Sequence, residues 1–171
     1  MPRIYRSTNG CFRRSPITSN YVDTGEFPGK SIRALSLELL WTDGPLSVMA
    51  EIVPARTDAS GAGDPSFFGS SLVVSYVLTG ENRPYDPHVG YARRIIPVSR
   101  TGAFEVFGRY STVDLTDGAI NGGETAKRTV GLNWWASQHW KVSVSTGDVD
   151  LERAGLEGRA KITLLRTQWV F

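Results

Sequence analysis

The chain has little of what metal, redox or disulfide chemistry requires. Its 171 residues include one cysteine and two histidines, which excludes an internal disulfide and leaves almost no ligands for a zinc or other metal site. Basic and acidic residues are nearly balanced, 19 against 17, so the chain has no concentrated positive field for nucleic acid. We therefore expect no metal, no cofactor and no nucleic-acid partner.

Long apolar runs and catalytic motifs are also missing. No apolar stretch reaches the roughly 18 residues of a transmembrane helix. Residues Met1 to Gly10 include arginines but no apolar segment follows them, which predicts that this chain carries no secretory signal peptide. Neither a nucleophile elbow nor a phosphate-cradling glycine loop occurs, so we predict that the protein is not an enzyme.

The dominant pattern from Ile32 onward is an alternation of apolar and polar residues, which predicts β-strands. Glycines interrupt the best helical candidate, Leu151 to Leu165, so no helix is predicted. Residues 1–30 are interpreted as a turn-rich loop with a partial strand at Arg3 to Ser7, and residues 31–171 as one portion of a barrel. The seven predicted strands are Ile32 to Trp41, Leu46 to Val53, Phe67 to Thr79, Ala103 to Asp114, Thr125 to Trp135, Trp140 to Val149 and Ala160 to Phe171.

Strand length and connection length favour a membrane barrel over a soluble one. Segments of about 10 to 12 residues exceed the strands of most soluble sheets and match a tilted bilayer span. Short and long connections are predicted to alternate, as they do between the periplasmic and outer ends of such barrels. The short ones are Thr42 to Pro45 and Ala136 to His139, and the longer, polar ones are Asp58 to Pro65, Leu115 to Glu124 and Glu152 to Arg159.

Aromatic and charged residues fall on separate parts of the predicted strands. With strands alternating in direction, one rim collects Trp41, Phe104, Trp134, Trp135, Trp140, Trp169 and Phe171, as expected of an interfacial girdle. The polar faces carry Glu51, Glu105, Arg109, Lys127, Lys141 and Arg166, which would line an aqueous lumen. The sequence thus predicts an all-β, antiparallel transmembrane barrel meander. A soluble ligand-binding β-barrel, with its apolar face inward, remains the alternative.

Several segments together resemble the C-terminal part of the phosphate-selective porin O and P family. They are Asp23 to Pro28, Leu37 to Leu39, Tyr76 to Tyr85 (YVLTGENRPY), Gly102 to Ser111 (GAFEVFGRYS) with Asp114 and Leu115, and Val130 to Trp134. Terminal Phe171 is similar to the closing aromatic residue of outer-membrane barrels.

The resemblance implies a 16-stranded, homotrimeric channel in the outer membrane of a Gram-negative cell, in contact with its lipid, that passes phosphate, polyphosphate or other anions. Seven or eight of those strands would lie in this chain. The half that supplies most of the family's arginine ladder would be missing, so we expect a truncated fragment that does not conduct alone.

Seven basic residues are the candidate contacts for anions. Four of them, Arg109, Lys127, Lys141 and Arg166, are predicted to line the pore. The other three, Arg83, Arg93 and Arg94, lie in the connection Gly80 to Thr101, and the resemblance implies that a periplasmic turn of this kind folds into the channel. We interpret these three as an exit cluster that holds anions near the mouth. The alternatives are a solvated basic loop and, for the wall residues, structural ion pairs with Glu51 or Glu105.

Overall fold

A computed structural model describes residues 22–86, 88 and 90–170, and these form an antiparallel sheet with one small separate hairpin. No helix in these ranges is long and apolar enough to span a membrane. A single 3₁₀ turn lies at Ser60–Ala62. The strands of the sheet are β1 (Ser31–Ala34), β2 (Leu37–Asp43), β3 (Leu46–Asp58), β4 (Ser66–Val77), β7 (Ala103–Asp117), β8 (Ile120–Trp135), β9 (Trp140–Arg153) and β10 (Leu156–Trp169), and the separate hairpin consists of β5 (Tyr85–Asp86) and β6 (Tyr91–Ala92).

The strands follow one another as a meander, in the order β1-β3-β4-β7-β8-β9-β10, with β2 also paired to β3. β1 and β2 share one register on β3, since Ala34 lies opposite Ala55 and Leu37 opposite Ile52. The interruption between them faces Pro54, which has no N–H to donate to the ladder. The predicted strand Ile32 to Trp41 is therefore one strand with a break. The predicted antiparallel meander of seven or eight strands is confirmed for the part of the chain that the structure describes.

Two of the predicted outer loops are wrong. In place of loops at Leu115 to Glu124 and Glu152 to Arg159, the strands β7, β8, β9 and β10 continue into tight two-residue turns. Ala154 and Gly155 both have positive φ, 52° and 76°, as a type I′ hairpin turn requires. The strand ends were missed because glycines and charged residues interrupt the alternation there, while the backbone ladder continues.

The longest connection lies at the end where the aromatic residues collect. It runs from the end of β4 to the start of β7 and contains the hairpin β5–β6. The connections predicted to be short at this end, Thr42 to Pro45 and Ala136 to His139, are short in the structure, and the predicted long connection Gly80 to Thr101 lies at the same end. We call this end, which carries Trp134 and Trp140, the near end, and the opposite one the far end.

The register assigns every side chain to one of two faces. One cross-strand row joins Tyr76, Val106, Leu132, Val144 and Leu165, and the same face continues apolar through most of the sheet. We call it the outer face. Glu105 and its neighbours with the same parity lie on the other side, the inner face. A continuous apolar face of this extent needs a cover, and in outer-membrane barrels lipid covers such a face.

The apolar band on the outer face runs diagonally across the strands. The row that starts at Trp41 passes through Val48, Val74 and Gly108 and arrives at Thr163 on β10, six residues before the rim residue Trp169. The rim thus moves about 20 Å along the strand over six strand spacings of about 4.8 Å. This corresponds to a tilt of about 35°, within the range of outer-membrane barrels.

The segment before β1 crosses the inner face at the far end. Asp23 N–H donates to Gly122 O at 2.9 Å, and Lys30 N–H donates to Asp58 O at 2.8 Å, so residues 22–30 run from β8 back to β3. Val22 is buried with Phe67 and Leu115. The predicted strand at Arg3 to Ser7 and the closing Phe171 lie outside the described residues.

Candidate functional site

Four basic residues of the strands lie on the inner face. Lys127 is opposite Ser111 and Arg109 is opposite Thr129, which makes Arg109 and Lys127 diagonal neighbours on β7 and β8. Lys141 is opposite Gln168 and Arg166 is opposite Ser143, so these two are diagonal neighbours on β9 and β10. Diagonal neighbours stand about 7 Å apart. The inner face therefore carries two pairs of cations, one in the middle of the wall and one near its aromatic end.

Most of these cations have no carboxylate partner in the described part of the chain. Among the residues that the structure describes, Arg109, Lys127 and Arg166 form no ion pair within 4.0 Å. The Lys141 ammonium lies over the Trp135 ring, 4.4 Å from the ring centroid, in a cation–π contact. The structure thus does not show the predicted alternative of structural ion pairs between Arg109, Lys127 or Arg166 and Glu105 or Glu51.

A buried carboxylate occupies the inner face close to the second cation pair. Glu105 is 1% exposed. It forms an ion pair with Arg83 and accepts hydrogen bonds from Asn133 Nδ2 at 2.8 Å and Trp135 Nε1 at 3.3 Å. Asn133 in turn accepts a hydrogen bond from Ser143 Oγ at 2.6 Å. A buried charge persists only when it is paired and hydrogen-bonded, and Glu105 meets both conditions.

The connection between β4 and β7, residues 78–102, folds over the inner face. Ile95 is fully buried and packs with Val77, Ala103 and Trp135, all of which are inner-face residues. Because Ile95 is the only part of this cluster that comes from the connection, it acts as an apolar anchor. The connection thus lies on the polar side of the sheet, at the near end.

A second carboxylate, Glu81, organises the connection itself. It accepts hydrogen bonds from Thr79 Oγ1 and from Val98 N–H at 3.3 Å. Burial by itself would raise the pKa of Glu81, but the hydrogen bonds from Thr79, from its own backbone and from Val98 outweigh burial and lower the pKa. Glu81 is therefore held as a carboxylate that joins the two ends of the connection.

The three arginines of the predicted exit cluster have three different partners. Arg83 binds Glu105 and keeps only 17% of its side chain exposed. Arg93 donates from Nε to Asp86 at 2.8 Å within the small hairpin, and Arg94 donates to Gln138 O at 2.8 Å on the turn between β8 and β9. The structure therefore gives each of them its own contact.

Several residues of this arrangement were not expected from the sequence. Trp135 was assigned to the girdle, but it lies on the inner face and is 9% exposed, whereas its neighbour Trp134 points outward. Successive residues of a strand point to opposite faces, so strand parity was the signal that separates the two. Ile95, Asn133 and Ser143 carry no motif, and only the three-dimensional register brings them to Glu105.

No metal site emerges from the side chains that the structure describes. In residues 22–86, 88 and 90–170, no group of three or more His, Cys, Asp or Glu side chains could hold a metal ion. What the inner face offers is a set of fixed positive charges next to water and one neutralised carboxylate. Such an arrangement can attract and pass anions.

A tilted antiparallel meander with an apolar outer band, a polar inner face and a connection folded over that inner face defines the class of outer-membrane porins. The family model of phosphate-selective porin O and P matches residues 15–171. The chain belongs to this family, whose members are channels of the outer membrane rather than enzymes. No curated protein matches the chain.

Proposed function

We propose that the chain forms part of a passive diffusion channel that prefers anions, with inorganic phosphate or polyphosphate as the physiological solutes. The observation that carries the proposal is the presence of two cation pairs on the inner face, none of whose four members forms an ion pair within 4.0 Å among the described residues. Arg109, Lys127, Lys141 and Arg166 are the pore-lining residues of the proposal. Arg94, which donates to Gln138 O and forms no ion pair among the described residues, adds positive charge at the near mouth, whereas the charge of Arg93 is balanced by Asp86.

The size of the electrostatic effect supports anion preference. A unit charge about 7 Å away in water contributes about 0.6 kcal/mol, so a pair of cations favours a monovalent anion by about 1.2 kcal/mol. That corresponds to roughly sevenfold local enrichment, which physiological salt reduces. Phosphate carries more charge than chloride, and guanidinium groups bind its oxygens in pairs. A wall with two such pairs therefore favours phosphate.

The inner face carries few uncompensated carboxylates at the depth of the apolar band. Glu105 is neutralised by Arg83. Glu51 accepts a hydrogen bond from Ser36 Oγ at 3.2 Å, and Glu38 lies on β2, opposite Glu51. Both are on the strands at the other side of the sheet from Lys141 and Arg166, so the cations of β7 to β10 dominate their own part of the wall.

The alternative, a soluble barrel that binds a ligand in an apolar interior, is supported less well. It would require the apolar face to curve inward, and the connection 78–102 would then lie on the outside, packed against charged residues. The diagonal course of the apolar band, with a tilt of about 35°, is also typical of a membrane barrel. Nothing in a soluble barrel requires exposed aromatic residues along one slanted rim.

The complete channel of this proposal has more strands than the described sheet. Neither the free edge of β1 and β2 nor that of β10 pairs with another strand among the described residues, and unpaired backbone groups cost several kcal/mol each in lipid. We propose a 16-stranded barrel in a homotrimer, as the family implies. Residues 1–171 alone would then lack the strands to conduct.

Competition between phosphate and chloride tests the proposal. The full-length protein is here the complete 16-stranded barrel of this proposal, which contains residues 1–171. Its chloride conductance in planar bilayers is measured with increasing phosphate, for Lys127→Gln and, as a matched control, Arg128→Gln. Arg128 is the next residue on β8, points to the outer face and pairs with Asp150. We expect Lys127→Gln to weaken phosphate block about two- to threefold and Arg128→Gln to leave it unchanged. Equal effects of both variants, or no phosphate block in the parent, would contradict the proposal.

A further inference from the structure

The connection 78–102 is attached to the wall by one polar and one apolar contact that lie close together. The polar contact is the ion pair between Arg83 of the connection and Glu105 of β7. The apolar contact is Ile95 on Ala103 and Trp135. Trp135 takes part in both, since its indole N–H donates to Glu105 at 3.3 Å and Trp135 belongs to the same buried apolar cluster as Ile95. The two contacts therefore stabilise each other.

The wall side of the polar contact is held by hydrogen bonds among the strands themselves. Glu105, Asn133 and Ser143 lie on three adjacent strands, and Asn133 bridges the other two by hydrogen bonds of 2.8 and 2.6 Å. These contacts orient the carboxylate but bring no positive charge. Among the described residues, the ion pair with Glu105 comes from Arg83 of the connection, while Lys141 of β9 interacts with the carboxylate without forming an ion pair within 4.0 Å. A buried carboxylate without a charge partner is unfavourable, so the wall itself favours the docked connection.

We propose that Glu105 is a positioning residue that holds connection 78–102 on the inner face through Arg83, and that this contact sets the width and the anion preference of the near mouth. The inference rests on the proposed channel function and goes beyond it by naming the residue that fixes the constriction. Arg83 acts as a structural latch, and Lys141, which lies over the Trp135 ring, is the cation that the docked connection leaves at the mouth.

The latch and a simple charge effect predict different results for two matched substitutions. Arg83→Gln removes a positive charge and Glu105→Gln removes a negative one. If the two groups acted only through their charge, the substitutions would shift the anion-to-cation ratio in opposite directions. If they form a latch, both release the connection, so both widen the mouth and raise conductance. The conductance of the double variant should then be raised no more than that of either single variant.

Labelling of a buried cysteine measures docking without any ion transport. Ala103 is fully buried beneath the connection, so Ala103→Cys in a Cys11→Ser background reports release by its reaction with a water-soluble maleimide. The full-length protein is reconstituted in lipid vesicles, and heat-modifiable migration identifies the folded fraction. Arg93→Gln serves as the matched control, because it breaks an ion pair inside the hairpin of the connection that does not reach the wall.

We expect Arg83→Gln, Glu105→Gln and the double variant to accelerate labelling of the introduced cysteine to a similar extent, by about a hundredfold, and Arg93→Gln to change it by less than about twofold. Arg83→Lys, which retains the charge, should label slowly. If Glu105→Gln does not fold, the labelling rates of Arg83→Gln and Arg83→Lys still show whether the charge at residue 83 holds the connection. Unchanged labelling in folded Arg83→Gln would overturn the latch. If the parent protein shows no anion preference, the proposed channel function is overturned, whereas the labelling result on docking still stands.

Discussion

An arginine placed at the centre of the outer band should destabilise the protein far more than one placed at the next residue. Val144 lies midway along β9 between Trp140 and Asp148, is 45% exposed and faces Leu132 and Leu165. Ser145 points to the inner face, between Gly131 and Leu164. Val144→Arg and Ser145→Arg therefore introduce the same side chain at the same depth on opposite faces.

The geometry gives the magnitude. Four residues on either side of Val144 span about 13 Å along the strand, or about 11 Å of depth after a tilt of about 35°. Val144 thus lies at the midplane of a band about 22 Å thick. Arginine at the midplane of a lipid-facing barrel surface costs about 2–4 kcal/mol, which is about 30- to 900-fold in the folding equilibrium, whereas Ser145→Arg should cost about 1 kcal/mol or less.

Folding of the full-length protein into lipid vesicles at increasing urea, followed by heat-modifiable migration, measures both variants. The reasoning would be refuted if Ser145→Arg were the more destabilising of the two, or if both lost the same stability. Either result would mean that the apolar face is not in contact with lipid. The two variants carry the same introduced side chain on the same strand, so the face on which the arginine lies is the main difference between them.

Two further predictions follow from the packing of the wall and from the connection. A Cβ at Gly131 would meet the Phe107 ring at 2.6 Å and Val144 O at 2.7 Å, whereas one at Gly108 has no neighbour within 4 Å. We expect Gly131→Ala to lower the free energy of unfolding by about 1–3 kcal/mol and Gly108→Ala to leave the urea midpoint unchanged. Equal urea midpoints for the two variants would contradict this packing. The lowered pKa of Glu81 means that its contribution to docking is complete above its ordinary pKa of 4.5 and is lost as the pH falls through the lower, folded-state value. Maleimide labelling of the Ala103→Cys reporter should therefore accelerate in that pH range, and adding Glu81→Gln should abolish this pH dependence. Acceleration that persists with Glu81→Gln would assign the pH dependence to another group.

The alternation of side chains was sufficient to predict the strands and their two faces, because lipid on one side and water on the other impose a period of two. It failed where that contrast ends. Beyond the apolar band, glycines and charged residues interrupt the alternation, so the far-end turns at Gly118 and Ala154 were predicted as long loops. The break opposite Pro54 could be understood only once the register was known.

The candidate site was predicted in its composition but not in its contacts. Successive residues of a strand alternate between the two faces, and this alternation can be read from the sequence alone. It places four basic residues on one face: Arg109, Lys127, Lys141 and Arg166. Arg83 and Glu105 are 22 residues apart, and no local pattern indicates that they pair. A basic connection looks the same in sequence whether its arginines are free or bound to a buried carboxylate.

The most direct test of the account is the reversal potential of the full-length channel under a KCl gradient when the four inner-face cations are replaced together. The variant carries Gln at Arg109, Lys127, Lys141 and Arg166, and its control carries Gln at the outer-face residues Arg128, Arg159 and Lys161. The account predicts an anion-selective potential for the parent and for the control, and a potential close to zero or cation-selective for the inner-face variant. An unchanged anion-selective potential in the folded inner-face variant would contradict the claim that these residues line the anion path.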